Sequence, residues 1–230
     1  MRFIKTIGLC FAITITISAV ASGAASAAGP TFHFKGAAIE ESLLAKGTSG
    51  PTSMWVKIFP GLHLICKKDK YEVTIEPGGG TKNLKITLEE CEISGSPGCI
   101  VTVTIKALKD QLWWIEGTSK KSVADVLEAE TGTEFGMVTL EKGGGSCPVE
   151  GKFTMTGNVA GEASPVNTEV VTESLFFKVS GEKQAIEEVQ NETEKKKLKL
   201  EIAGSEARLE STEELQLAGS LEGQKFGIYS

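Results

Sequence analysis

The sequence predicts an all-β fold, an antiparallel sandwich or barrel of many short strands that follows a cleaved N-terminal signal helix. Short runs rich in β-branched and aromatic residues recur about every ten residues from Met54 onward. Several of these runs alternate apolar and polar residues with a period of two, which is typical of half-buried strands. Glycine and proline separate the runs, and the chain contains 26 glycines.

The first residues have the order of a secretory signal peptide. Arg2 and Lys5 form a positive segment, residues 7–20 are uncharged and apolar, and small residues follow. Ala25 and Ala27 fit the A-x-A pattern, so cleavage is predicted after the second of them. A retained anchor is the alternative. Cleavage is favoured because a spanning helix needs about 20 apolar residues and this run is shorter.

Cleavage at this point would leave residues 28–230 as a single β-rich domain. Residues 28–53 are expected to be a loosely ordered lead-in, with two helical turns at residues 37–47. No second long apolar run follows, so no integral membrane segment is expected after cleavage. The leader carries two basic and no acidic residues, so its loss changes the net charge from −6 to −8. An acidic chain repels phosphate backbones, which argues against nucleic acid as a partner.

The strand candidates follow one another along the chain. Alternation is clearest at residues 83–91 and 100–108, and the sequence at 122–130 is ambiguous between a helical turn and a strand. Residues 182–230 are predicted to be mostly strand, with the basic run at 195–197 in a solvated charged turn. The other predicted strands have the sequences MWVKIF, LHLIC, YEVTI, QLWWIEG, EFGMVTLE, KFTMTGNVAGEA and TEVVTESLFFKVSG.

The mature chain keeps four cysteines, because Cys10 leaves with the leader. An even number of cysteines in an exported protein indicates a disulfide framework. Two glycines and a proline lie between Cys91 and Cys99, and a hairpin there would bring these two residues together. The preferred pairing is therefore Cys91–Cys99 with Cys66–Cys147, among three that are possible. A zinc site is disfavoured, since the chain has no C-x-x-C pair and no nearby histidine.

The chain resembles a group of uncharacterised exported proteins that are abundant in soil actinobacteria. Four features carry the resemblance: Cys66 at a strand end, the strand into Cys91 with Cys99 shortly after, the segment SCPVEGKFTMTGNVAGEASPVN, and Gln184 after the FFKVSG strand. The resemblance covers roughly residues 54–190, and residues 106–133 depart from the pattern. It implies secretion, a β-rich fold and disulfide bonds, and it implies no activity.

Nucleophilic catalysis finds little support in the sequence. The chain has two histidines, His33 and His63, and each lies between apolar neighbours in a strand-like run. Each is therefore expected on the outer face of its strand, and no G-x-S-x-G motif accompanies them. The glycine-rich stretches lack the Lys-Ser/Thr and the helix of a phosphate cradle. No catalytic residue, cofactor or metal site is predicted.

Carboxylate chemistry can be neither supported nor excluded. A glycosidase needs two carboxylates about 5 to 10 Å apart in a cleft, and the chain has 30 acidic residues. Only three of these are aspartates, namely Asp69, Asp110 and Asp125. The excess of glutamate is typical of solvated strand faces and weakens the case for a calcium site.

Three tryptophans are candidates for stacking on a ligand such as a sugar ring: Trp55, Trp113 and Trp114. Adjacent residues of a strand face opposite ways, so at most one of the pair at 113–114 can lie on a given face. The alternative is that one is a core residue and a loop covers the other. The sequon at Asn191 is a weak glycosylation pattern.

These observations favour an exported, non-enzymatic β-protein that acts by binding or as a structural component at or outside the cell surface. Its ligand would be a cell-surface component or a polysaccharide. The alternative is a carboxylate-type hydrolase or a carbohydrate-binding module that acts on glycans. A third hypothesis is a small-ligand carrier, which would require strands closed around a hollow interior.

Overall fold

The computed structural model describes residues 29–57, 63–96, 98–145 and 147–230. The predicted signal peptide and its cleavage residues, Ala25 and Ala27, lie outside these ranges. Within them the fold is all-β and sandwich-like, as the sequence predicts. The strands are β1 (Thr31–Phe34), β2 (Ala37–Ala38), β3 (Leu43–Ser49), β4 (Thr52–Val56), β5 (His63–Ile75), β6 (Thr81–Ile93), β7 (Cys99–Ile105), β8 (Leu108–Ile115), β9 (Val123–Ala129) and β10 (Glu134–Lys142). They continue with β11 (Gly151–Ser164), β12 (Glu173–Phe177), β13 (Val179–Ser180), β14 (Lys183–Gln184), β15 (Glu188–Gln190), β16 (Lys195–Lys197), β17 (Leu200–Ile202), β18 (Ser205–Leu217) and β19 (Phe226–Tyr229), with a 3₁₀ turn at Gly219–Leu221.

Eight strands pair in a closed ring. The antiparallel pairings run in the order β8, β6, β5, β3, β18, β12, β11, β9 and return to β8. Seven of the eight junctions contain three or more residue pairs, whereas β6 and β8 are joined at the single pair Leu84–Leu108. An isolated bridge between Gly80 and Gln111 lies beside that pair. We call this junction the β6–β8 seam.

Three of the four longest strands extend beyond the ring and change partners there. Strand β5 pairs with β3 along one half and with β4 along the other. Strand β18 likewise passes from β3 and β12 to β4 and β17. Strand β11 passes from β9 to β10, which in turn pairs with β7. Beyond the ring, the sheet therefore continues through β4, β17, β10 and β7, which join the extended ends of these long strands.

The interior of the ring is filled by side chains of its own strands. The predicted alternation is present: in β5, for example, Tyr71, Val73 and Ile75 are buried while Lys70 and Glu72 are exposed. These inward residues join one hydrophobic core, in which Phe177 and Leu217 are fully buried. Burial of this apolar surface is the main stabilising contribution to the fold.

The prediction of helical turns in the lead-in is wrong. The lead-in contains β1, β2, β3 and the start of β4, and β1 pairs with the C-terminal strand β19. Phe32 and Ile228, which lie opposite each other in that pairing, are both buried in the core. Pairing with the far end of the chain is a non-local contact, which local helix propensity cannot indicate.

The tail is mostly strand, as the sequence predicts, but the basic run at 195–197 is not a turn. It forms β16, whose hairpin partner β15 pairs with the end of β8 at Ile115 and Trp114. A small cluster of buried residues lies beneath this hairpin, separate from the main core: Trp113, Ala124, Val126, Ala160, Ile186 and Val189.

Candidate functional site

All three aspartates of the chain lie inside the ring. Asp69, Asp110 and Asp125 are each 4 to 6% exposed, and they occupy inward positions of β5, β8 and β9. Glu213 of β18 is partly buried and interacts electrostatically with Asp69 and Asp110. Together with the hydroxyl of Tyr71, these four carboxyl groups form what we call the interior acid cluster.

The strand register brings two of the aspartates into contact. Asp110 lies opposite Leu127 and Asp125 lies opposite Leu112, so the two carboxyl groups are diagonal neighbours on the inner face. They are within hydrogen-bonding reach of each other. Two carboxyl groups can share such a bond only if one carries a proton. The carboxyl groups of Asp110 and Asp125 are therefore placed to share one proton.

Asp69 belongs to a second part of the cluster, where β3 gives way to β4. The Thr52 hydroxyl donates to Asp69 Oδ2 at 2.6 Å and lies 2.9 Å from the Ser211 hydroxyl. Ser49 pairs with Asp69 on one side and with Glu213 on the other. Three hydroxyl-bearing residues thus surround two carboxyl groups in the middle of the sheet.

Tyr71 lies across Gly47, which is opposite it in β3. A Cβ atom at Gly47 would lie 2.0 Å from the Tyr71 ring carbon Cζ, so only glycine leaves room for the ring. The tyrosine is 5% exposed, and its hydroxyl has no hydrogen-bond partner among the described residues. Burial raises its pKa, as do the nearby charges of Glu213, Asp69 and Asp125. The hydroxyl therefore faces the acid cluster.

The cluster is acidic without a basic counter-charge. Burial raises the pKa of Asp110 to about 7 and that of Glu213 to about 8. Burial also raises the pKa of Asp69, and burial together with the charges of Asp110 and Glu213 raises that of Asp125 well above its usual range. Desolvation disfavours the charged form, and neighbouring carboxylates add to the effect. Asp110 and Glu213 are therefore largely protonated below neutral pH.

Glu173 of β12 is a further buried carboxyl, separate from the cluster. It is completely buried, and neither oxygen has a hydrogen-bond partner in the part of the chain that the structure describes. Burial alone raises its pKa to about 8. A carboxyl group in such surroundings is kept neutral at acidic and neutral pH.

The predicted disulfide pairing is wrong, although the same four cysteines form two bonds. The bonds are Cys66–Cys91 and Cys99–Cys147. Cys66 lies directly opposite Cys91 because β5 and β6 form a long hairpin. Strand β7 does not fold back onto β6 but pairs with β10, which places Cys99 opposite Lys142, shortly before Cys147. The turn signal after Cys91 was correctly identified, but it does not join two paired strands.

The tryptophan pair is buried and offers no stacking surface. Trp113 and Trp114 are 5% and 6% exposed. They point to opposite sides, as predicted: Trp114 belongs to the main core and Trp113 to the cluster beneath the β15–β16 hairpin. Trp55 is partly exposed, and its ring is stacked with that of His63 at 5.4 Å between centroids, with Arg208 5.3 Å from the ring. Its face is therefore already in contact with side chains.

His33, the other histidine, stacks on Tyr229 at 4.0 Å between ring centroids. Burial lowers its pKa, while Glu169 acts in the opposite direction. Neither histidine belongs to the acid cluster. Gln184, a residue of the actinobacterial resemblance, instead has a structural role: it exchanges two hydrogen bonds with the backbone of Leu209.

Two cavities border the described strands. A polar cavity of about 270 Å³ lies on the outer face at Gly47, where Lys46 and Glu214 line it. An apolar cavity of about 40 Å³ lies near His63, at the other end of β5. Tyr71 borders the first cavity, but none of the four cluster carboxyl groups lines either one. Within the described ranges, no three acidic, histidine or cysteine residues are arranged to hold a metal ion.

Sequence reasoning missed the acid cluster, although a signal for it is present. Asp110 falls between Leu108 and Leu112, at the apolar phase of a period-two run. Asp125 does the same between Val123 and Leu127. An acid at an inward position of a strand predicts a buried carboxyl group, and the scarcity of aspartate in this chain makes the pattern easier to notice.

Comparison of the sequence with protein-family models and curated proteins, and of the fold with solved structures, finds no match.

Proposed function

We propose that the chain is an exported, non-enzymatic β-protein that acts by binding or as a structural component at or outside the cell surface. The observation that carries this proposal is the pair of intrachain disulfides in an all-β fold whose interior is filled by its own side chains. Disulfides form and persist in oxidising compartments outside the cytoplasm. The resemblance to exported proteins of soil actinobacteria points in the same direction.

In the described part of the chain, no helix has the length and apolar character needed to cross a membrane.

The filled interior disfavours the small-ligand carrier. Leu112, Phe177 and Leu217 of the ring strands are at most 1% exposed and occupy the space that a carried ligand would need. The outer faces of the strands instead carry exposed lysine–glutamate pairs such as Lys46–Glu222 and Lys70–Glu89. A polar, charge-balanced outer face of this kind is suited to contacts with polar surfaces such as cell-wall glycans.

The export half of the proposal is tested by expressing the full chain in an exporting bacterium. We expect mature protein outside the cytoplasm with Ala28 at its N-terminus and with both disulfides formed. Retention of the complete chain in the cytoplasm with four free thiols would contradict it.

The binding half is tested by co-sedimentation of the mature protein with purified cell walls, chitin and cellulose. Retention on one of these solids supports binding, and recovery of all protein in the supernatant would leave only the structural role. Release of soluble sugar would overturn the non-enzymatic assignment.

Glycan hydrolysis is the second candidate, and one observation favours it. The pKa of Asp110 is raised to about 7, as a general acid requires, although its contact with Asp125 is closer than the separation of about 5 to 10 Å between the two carboxylates of a glycosidase. Their burial inside the ring argues against access by a polysaccharide. The same glycans, incubated with the wild type and with Asp110→Asn, decide the matter: hydrolysis that disappears in the variant would establish the enzyme.

A further inference from the structure

We propose that the interior acid cluster is a proton-operated conformational device, which keeps the ring of strands closed while protonated and opens it at the β6–β8 seam on losing its protons. This inference concerns the response of the fold to pH and holds for either a binding or a structural role.

The geometry places the cluster beside the weakest junction of the ring. Strands β6 and β8 share the single pair Leu84–Leu108, and the backbone N–H of Leu112 donates to the Gly79 carbonyl nearby at 2.8 Å. Asp110 is on β8, two residues from that pair, and it faces Thr81 of β6 across the seam. Separation of the two strands would therefore expose Asp110 to water first.

The groups that face the cluster cannot neutralise it. The lysines on the ring strands all lie on the outer face and are exposed, and no basic residue acts on the cluster carboxyl groups among the described residues. The titratable side chains that point into the ring are these: Asp69 and Tyr71 on β5, Asp110 on β8, Asp125 on β9, Glu173 on β12 and Glu213 on β18. The other three ring strands contribute only uncharged inward residues, among them Ser49 of β3, Thr81 of β6 and Gly161 of β11. Every charge that these inward residues can carry is thus negative. Two ionised carboxylates in a low-dielectric interior repel each other strongly.

The direction of the pH effect follows from the raised pKa values. A carboxyl group whose pKa is higher in the folded than in the unfolded chain contributes stability that is fully present below its unfolded value, about 4. That stability is lost as the pH rises through the folded values, which are about 7 for Asp110 and about 8 for Glu213. The closed ring is therefore the acidic form, and neutral to mildly alkaline conditions favour opening.

The test is hydrogen exchange of the wild-type protein at pH 5 and pH 8, measured by mass spectrometry and corrected for intrinsic rates. We expect protection of the seam amides, at the pair Leu84–Leu108 and at Leu112, which donates to Gly79, to fall at least about tenfold at pH 8, the effect of one proton over one pH unit. The amides that pair β6 with β5 and β8 with β9 should keep their protection. Residues 43–49, which form seven pairs with β5, should keep their protection. Unchanged protection at the seam, or an equal loss around the whole ring, would overturn the proposal.

A matched pair of variants separates the cluster from general charge effects. Glu213 and Glu214 are neighbours on β18, but the first faces the cluster and the second is exposed. Glu213→Gln should retain most of the seam protection at pH 8, whereas Glu214→Gln should behave as the wild type. If Glu213→Gln and Glu214→Gln show the same seam protection at pH 8, the proposed role of the acid cluster in closing the ring is contradicted. The wild-type comparison remains decisive even if Glu213→Gln does not fold.

Discussion

At the scale of single residues, Gly47 is required by its tyrosine neighbour. A Cβ atom there would lie 2.0 Å from Tyr71 Cζ and 2.4 Å from the Glu214 carbonyl oxygen. We expect Gly47→Ala to lower the free energy of unfolding by about 2 kcal/mol or more, since overpacking of a filled site typically costs 1–3 kcal/mol. Chemical denaturation measures the change. Gly50→Ala is the control, because nothing lies within 4 Å of its Cβ position. An equal loss in both variants would contradict the role of the Tyr71 contact.

Glu173 provides a second prediction at this scale. It is completely buried, and its pKa of about 8 lies above the usual value of 4.5. The wild type therefore loses stability from this residue as the pH rises from about 4.5 to about 8. Glu173→Gln does not titrate. The free energy of unfolding of the variant minus that of the wild type should therefore rise over this window, by on the order of 3 kcal/mol at pH 8. Urea denaturation at pH 5 and pH 8 tests this, with a substitution at an exposed site, Glu182→Gln, as the control. A difference that stays constant with pH would refute it.

At the scale of elements, the sequence predicts strands better than it predicts their partners. Alternation is a local property, so the runs that became β6 and β7 are visible in the sequence. Their partners are not: β6 pairs with β5, and β7 pairs with β10. The wrong cysteine pairing has the same origin, because it assumed a hairpin between β6 and β7, whereas β7 pairs with β10. The acid cluster likewise depends on non-local register. The inward phase of Asp110 and Asp125 can be seen in the sequence, but not their contact.

The corrected disulfide frame predicts the outcome of peptide mapping and of paired cysteine removal. Digestion without reductant should release the linked pairs Cys66–Cys91 and Cys99–Cys147. On the loop-entropy model, the bonds span 25 and 48 residues and stabilise by about 3.5 and about 4 kcal/mol. The double variants Cys66→Ala/Cys91→Ala and Cys99→Ala/Cys147→Ala should lose stability by these amounts in denaturation experiments. A mapped Cys91–Cys99 peptide would contradict the frame.

At the scale of the whole molecule, the carboxyl groups divide into two classes with opposite pH behaviour. Two surface glutamates have lowered pKa values: Glu76, which is hydrogen-bonded to Lys82, and Glu90, which is hydrogen-bonded to Lys68. Their contribution to the stability of the fold is present above about pH 4 and is lost as the pH falls further. The interior carboxyl groups behave in the reverse way, and their contribution is lost as the pH rises through about 7 to 8. Exposed ion pairs contribute little to stability, so the interior class should dominate.

The balance of the two classes predicts an acidic optimum of stability. We expect the thermal midpoint to be highest near pH 4 to 5 and to fall towards pH 8, whereas most proteins are most stable between about pH 5 and 8. The stability–pH curve has an acidic limb below the optimum and an alkaline limb above it, and salt distinguishes the two. In 1 M salt, exposed charges are screened and buried ones are screened much less. In 1 M NaCl the acidic limb should therefore flatten while the alkaline limb persists. Calorimetry from pH 3 to pH 9 at low and high salt measures both limbs. An optimum near pH 8, or an alkaline limb that disappears in salt, would show that surface charges and not the interior carboxyl groups control the stability of this fold.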